Sequence, residues 1–147
     1  MTFLTDQATD LKLEITRLIP ANREKLFDAW LDPVMLAQFM IPGPDMTVPK
    51  ATSDAREGGR FLVIMRAGDQ DLPHAGTYKT IDRANRLAFT WESPMSPVED
   101  STVTIDFEDA EGGTNLRLTH VRFQSDESRT NHEGGWTRIL TTLAEKI

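Results

Sequence analysis

The chain has 147 residues, 39% apolar and 27% charged, with a formal net charge of −7 and no cysteine. That length supports a single self-sufficient core, and the missing thiols exclude disulfides, thiolate metal sites and cysteine nucleophiles. A diffuse negative charge repels phosphate backbones, so nucleic acid is not expected as a partner, and no apolar run approaches the ~20 residues that a membrane span needs. Residues 1–12 lack the basic-then-apolar pattern of a secretory signal, and a cytoplasmic protein is expected.

Residues 1–10 are polar and are expected to form a loosely held, flexible N-terminus before one domain over 11–147. Leu11, Leu13 and Ile15 alternate with Lys12, Glu14 and Thr16, the pattern of a strand with one buried face. After Pro20, helical spacing begins behind a cap at Asn22, with Leu26, Phe27, Trp30 and Leu31 on one side. Asp32-Pro33 ends that helix and starts a shorter one whose apolar side is Leu36, Phe39 and Met40, closed by Pro42-Gly43-Pro44.

From Met46 onward the period falls to two. Met46 to Asp54 gives a weak strand signal, Gly58-Gly59 a turn, and Phe61, Val63 and Met65 share one face of the next strand. Gly68 to Pro73 reads as a loop. Gly76 to Ile81 and Arg86 to Glu92 follow as strands joined at Asp82 to Asn85. Val103, Ile105 and Phe107 then lead through a hairpin at Glu111-Gly112-Gly113 to Leu116, Leu118 and His120. A polar stretch from Ser125 precedes a final helix whose start is expected at Asn131-His132-Glu133, with Trp136, Ile139, Leu140, Leu143 and Ile147 along one side. No helices cross over between the strands, so they should pair antiparallel in an α+β fold.

Several fragments form a recognisable series. Phe27, Ala29, Trp30, Asp32 and Pro33 make Phe-x-Ala-Trp-x-Asp-Pro, and Asp54, Arg56, Gly58, Gly59 and Phe61 make Asp-x-Arg-x-Gly-Gly-x-Phe. Gly76-x-Tyr78, Leu87 to Trp91, Thr114 to His120 and Gly135-Trp136 follow in order. Together, over residues 11 to 147, they resemble the SRPBCC (START-like) superfamily, and within it the branch related to the C-terminal domain of the heat-shock-protein-90 ATPase activator. Many relatives place a tryptophan after the Asp-Pro, where this chain has Phe39.

The resemblance implies a helix-grip fold. A curved antiparallel sheet of six to seven strands would wrap a long C-terminal helix over a mainly apolar cavity, with two short helices after the first strand. No cofactor is expected. It covers lipid and hormone binders, cyclases, and cochaperone modules of the stress response, and fold does not choose among them.

A sheet curled round one helix is not filled by that helix alone, so a small hydrophobic, aromatic or lipid-like ligand is expected between the two. Met65, Trp91, Phe39, Met40 and Trp136 are candidates for the cavity wall, joined by Phe61, Phe89 and Leu140. Trp30 is placed with them, although filling the core is the simpler reading for it. The short helix pair and the loop from Glu92 to Asp100 would gate access, with Met95 as an apolar flap.

Polar candidates are few. His120 falls in phase with Leu116 and Leu118, and Tyr78 is the single tyrosine; either would serve as an acid or base in a cyclase, dehydratase or hydrolase, or be a satisfied core residue. His74, His120 and His132 lie on different elements without ligand spacing, so no metal is expected. Asp54 and Arg56 suit a structural pair, and Gly58-Gly59 lacks the rest of a phosphate loop. As an alternative, the resemblance implies a cochaperone-like module that stimulates a heat-shock ATPase and binds a chaperone partner. The outer-face residues Arg86, Thr90, Thr104 and Asp106 do not demand a homodimer, although relatives often form one.

Overall fold

The computed structural model describes residues 10–147, so the N-terminus expected to be flexible lies outside the described residues except for Asp10. Seven strands form one sheet in the order β1-β7-β6-β5-β4-β3-β2, and every neighbouring pair is antiparallel. The strands are β1 (Lys12–Ile19), β2 (Met46–Ser53), β3 (Arg60–Ala67), β4 (Gln70–Asp82), β5 (Arg86–Thr90), β6 (Thr102–Ala110) and β7 (Gly113–Val121). Two short helices, α1 (Arg23–Ala29) and α2 (Pro33–Phe39), separate β1 from β2, and α3 (Asp126–Lys146) closes the chain. The sheet curls into a half-barrel around α3, which is the helix-grip architecture.

Local chemistry explains each boundary. The Asn22 side chain accepts from the Lys25 N–H at 2.8 Å to start α1. Asp32 accepts from the Val34 N–H at 2.9 Å, and Pro33, at the first helical position, has no N–H to leave unpaired. The β6–β7 hairpin turns through Glu111-Gly112, where Gly112 takes φ 87°. Gly76 lies so close to β5 that a Cβ there would sit 1.9 Å from the Thr90 carbonyl oxygen.

Three expectations need correction. Gly68 to Pro73 is not a loop: a tight turn at Gly68-Asp69 sends the chain straight into β4, whose Pro73 pairs with Ile64. The Ala75 N–H points at Glu92, so by the two-residue period the Pro73 nitrogen faces the same side, beyond the end of the neighbouring strand. No ladder bond is lost there. The last helix starts at Asp126 and not near Asn131, because Ser125 caps the Ser128 N–H at 3.0 Å and Asp126 and Glu127 favour the positive helix end. Thr90 is buried at 8% exposure and is not a solvated outer residue, since its hydroxyl accepts from the Thr77 N–H and donates to Glu92.

The core lies between sheet and helix. Leu87, Val103, Ile105, Leu116 and Leu118 from the sheet are fully buried against Leu140 and Leu143 of α3, and Phe27 of α1 packs edge-on to Phe107 at 5.2 Å. The opposite face carries ion pairs, Arg86–Asp106 at 2.6 Å and Arg60–Glu92 at 2.9 Å among them. Such exposed pairs contribute about 0–1 kcal/mol each and mainly keep that face wet.

Candidate functional site

The concavity is filled unevenly. At its centre Phe61 meets Phe89 at 5.2 Å and Tyr78 at 5.5 Å, while Trp30 sits edge-on to Phe39 at 5.0 Å. These rings, with Met40 and Leu140, are at most 4% exposed and close the middle of the half-barrel. Toward the end where β3 turns into β4, the sheet and the first turns of α3 diverge. A cavity of about 640 Å³ remains there.

Its apolar walls are Trp91 and Trp136, whose ring centroids are 4.8 Å apart, with Met46, Met65, Met95, Pro42 and Ile139 around them. Met95, in the loop after Trp91, is 47% exposed at the rim, and Pro94 lies beside it. The polar wall comes from the start of α3, through Glu127, Ser128, Asn131 and His132, and from His74 on β4. Gly135 lets the helix approach Pro42, which a Cβ would meet at 3.3 Å.

Of the residues expected to line a cavity, Met65, Trp91, Met95 and Trp136 come together around this one. Trp30, Phe39, Met40, Phe61, Tyr78, Phe89, His120 and Leu140 lie in the packed core behind it. Tyr78 is 2% exposed, its hydroxyl is 2.8 Å from Ser53 Oγ, and burial raises its pKa. Asp54 and Arg56 form an exposed pair at 2.9 Å, away from the cavity.

His120 is completely buried in a hydrogen-bonded chain with one direction. The Trp136 indole N–H, which can only donate, reaches its Nδ1 at 3.0 Å. The ring proton therefore sits on Nε2 and is donated to Ser101 Oγ at 2.7 Å, and the Ser101 hydroxyl donates on to the Val121 carbonyl. In this tautomer His120 has no lone pair left with which to take a proton from Ser101, so the Ser–His contact is not a nucleophile–base pair. Burial, and to a lesser degree a charge on His132, pushes its pKa down to about 3.

The other two histidines were missed as site residues. Each donates from Nδ1 to a carbonyl of its own element, His74 to Leu72 at 3.0 Å and His132 to Ser128 at 2.8 Å. Burial pushes the pKa of His74 down to about 4 and lowers that of His132, so both rings are neutral at neutral pH. The signals existed in the sequence. Leu72 and His74 are in phase with Gly76 and Tyr78, and Ser128 and His132 precede Trp136 at four-residue spacing. Although the three histidines cluster, no group of three His, Asp or Glu among the described residues is arranged to hold a metal ion. No described helix is long and apolar enough to cross a membrane.

Comparison with known proteins agrees with this architecture. No curated protein matches the chain. Solved structures do: a protein from Chromobacterium violaceum is 24% identical with a TM-score of 0.82 over 91% of this chain and 94% of that one. The AHSA1-like protein from Aeromonas hydrophila is 24% identical with a TM-score of 0.79, over 92% and 90%. The AHSA1 protein from Silicibacter pomeroyi is 27% identical with a TM-score of 0.77, over 92% and 96%. The family described as activator of Hsp90 ATPase homolog 1-like protein matches residues 20–147. With nearly the whole domain matched and the helix-grip architecture in place, the chain belongs to that family, within the SRPBCC superfamily.

Proposed function

We propose that this protein binds a small hydrophobic molecule in the cavity between the sheet and the first half of α3. The observation that carries the reading is the cavity of about 640 Å³, walled by two tryptophans and three methionines. That volume lies within the ~300–1,000 Å³ of small-molecule sites, and such walls with a few convergent polar groups are typical of them. Methionine side chains adapt to ligand shape, and Met95 at the rim supplies a flap.

A cochaperone role has less support. The exposed large apolar residues among those described, Leu18, Val34 and Met95, are scattered and form no docking face on the outer sheet. Enzymatic turnover through His120 or Tyr78 lacks an accessible acid or base, since both are at most 2% exposed and already hydrogen-bonded. Titration of the intrinsic tryptophan fluorescence with apolar aromatic compounds tests the binding reading. Saturable quenching is expected, and an unresponsive signal across a broad compound set rejects it.

A further inference from the structure

We propose that the cavity selects a neutral, planar aromatic molecule bearing a hydrogen-bond-donating hydroxyl, with the imidazoles of His74 and His132 as its acceptors; this deepens the binding reading above and rests on it. The two rings come from different walls, β4 and α3, and both line the cavity. In each, the Nδ1–H is committed to a main-chain carbonyl, which can only accept. Each neutral ring therefore has a bare lone pair at Nε2. No described side chain or backbone group donates to either Nε2, and neither atom is among the sealed, unpartnered polar atoms, so both remain accessible.

Two accessible acceptors facing an apolar wall of tryptophans and methionines discriminate among ligands. A pure hydrocarbon would strip water from both nitrogens and put nothing in its place. A hydroxyl donor restores a hydrogen bond while its aromatic body lies against Trp91 and Trp136. A carboxylate fares worst. The lining contains no lysine or arginine, so only neutral donors such as the Gln124 and Asn131 amides could face it, Glu127 adds like charge, and carboxylate oxygens would oppose the acceptor nitrogens. Fatty acids and aromatic acids are thus disfavoured, and phenol-type compounds favoured.

Isothermal titration of the full chain with naphthalene, naphthol and naphthoate at neutral pH tests this. Naphthol should bind roughly fivefold more tightly than naphthalene, the worth of one net hydrogen bond, and naphthoate most weakly. Replacing both acceptors, His74→Leu together with His132→Leu, should bring the preference for naphthol below about twofold, whereas His132→Gln alone, whose amide oxygen stands near the Nε2 position, should retain it. Equal binding of naphthol and naphthalene, or tightest binding of naphthoate, overturns the selectivity while leaving the cavity as a binding site. Failure of all three probes to bind overturns both readings. If the double variant does not fold, the wild-type ranking of the three probes still decides.

Discussion

The Trp136 indole donates its N–H to Nδ1 of His120 at 3.0 Å, and this one contact sets the role of both residues. It fixes the histidine tautomer, orients Trp136 as a cavity wall, and ties the middle of α3 to β7. Protonating His120 at Nδ1 would set two donors against each other in a site with no water access. The histidine therefore acts as a neutral structural joint between helix and sheet.

Replacing His120 should accordingly damage the fold. His120→Ala removes a fully buried ring, leaves the Trp136 N–H and Ser101 without their partner, and opens a hole. A loss of about 2–4 kcal/mol is expected in urea denaturation. A stability within about 0.5 kcal/mol of wild type would show that the ring is not needed as a joint.

Acid should weaken the protein earlier than its carboxylates alone would cause. His74 and His120 are held neutral in the fold, at about 4 and about 3, but take up protons near 6.5 once unfolded. Below about pH 6.5 the unfolded state binds more protons, so their contribution is complete above that value and is lost as pH falls toward 4 and then 3. Each costs up to about 1.4 kcal/mol per pH unit over that window. The paired carboxylates Asp28, Asp71 and Glu92 are shifted downward and lose their contribution only at lower pH. Urea midpoints at about pH 7 and about pH 5 should therefore differ clearly; coincident midpoints would contradict the buried neutral histidines.

The two adjacent glycines of α3 should respond differently to alanine. Gly134 has open space where a Cβ would go, so Gly134→Ala should stabilise by about 0.5–1 kcal/mol through a better helix former and a less mobile unfolded chain. At Gly135 the same change presses on Pro42 at 3.3 Å, so its gain should be smaller or reversed. Denaturation of the two variants side by side gives the comparison, and equal gains would mean that Pro42 yields freely.

These glycines also show why part of the molecule was hard to read from sequence. Strands such as Arg86 to Thr90 and Gly113 to Val121 announce themselves because one face is buried and the period of two is clean. In α3, Gly134-Gly135 and the polar residues before them mimic a helix start, although Ser125 supplies the true cap six residues before Asn131. Pro73 likewise disguises the first residues of β4, which hides His74. Large apolar residues such as Phe61 and Leu140 carry the same inward signal whether they fill a core or face a void. The position of the hollow depends on where α3 diverges from the sheet, and periodicity does not encode that separation.

Filling the cavity provides the remaining check on ligand binding. Ala67 ends β3 at the cavity edge and is only half-buried, so a larger side chain there can project into the space without displacing core packing. Ala67→Phe should leave stability within about 1 kcal/mol yet weaken an aromatic ligand on the order of tenfold, because the same volume cannot hold both. The signal follows from position: Trp91 and Trp136 line the cavity, whereas Trp30 lies behind it against Phe39. Trp30→Phe should therefore preserve ligand quenching and Trp91→Phe should reduce it. If quenching instead vanished with Trp30→Phe, or if Ala67→Phe bound as tightly as wild type, the ligand would have to sit elsewhere on the protein.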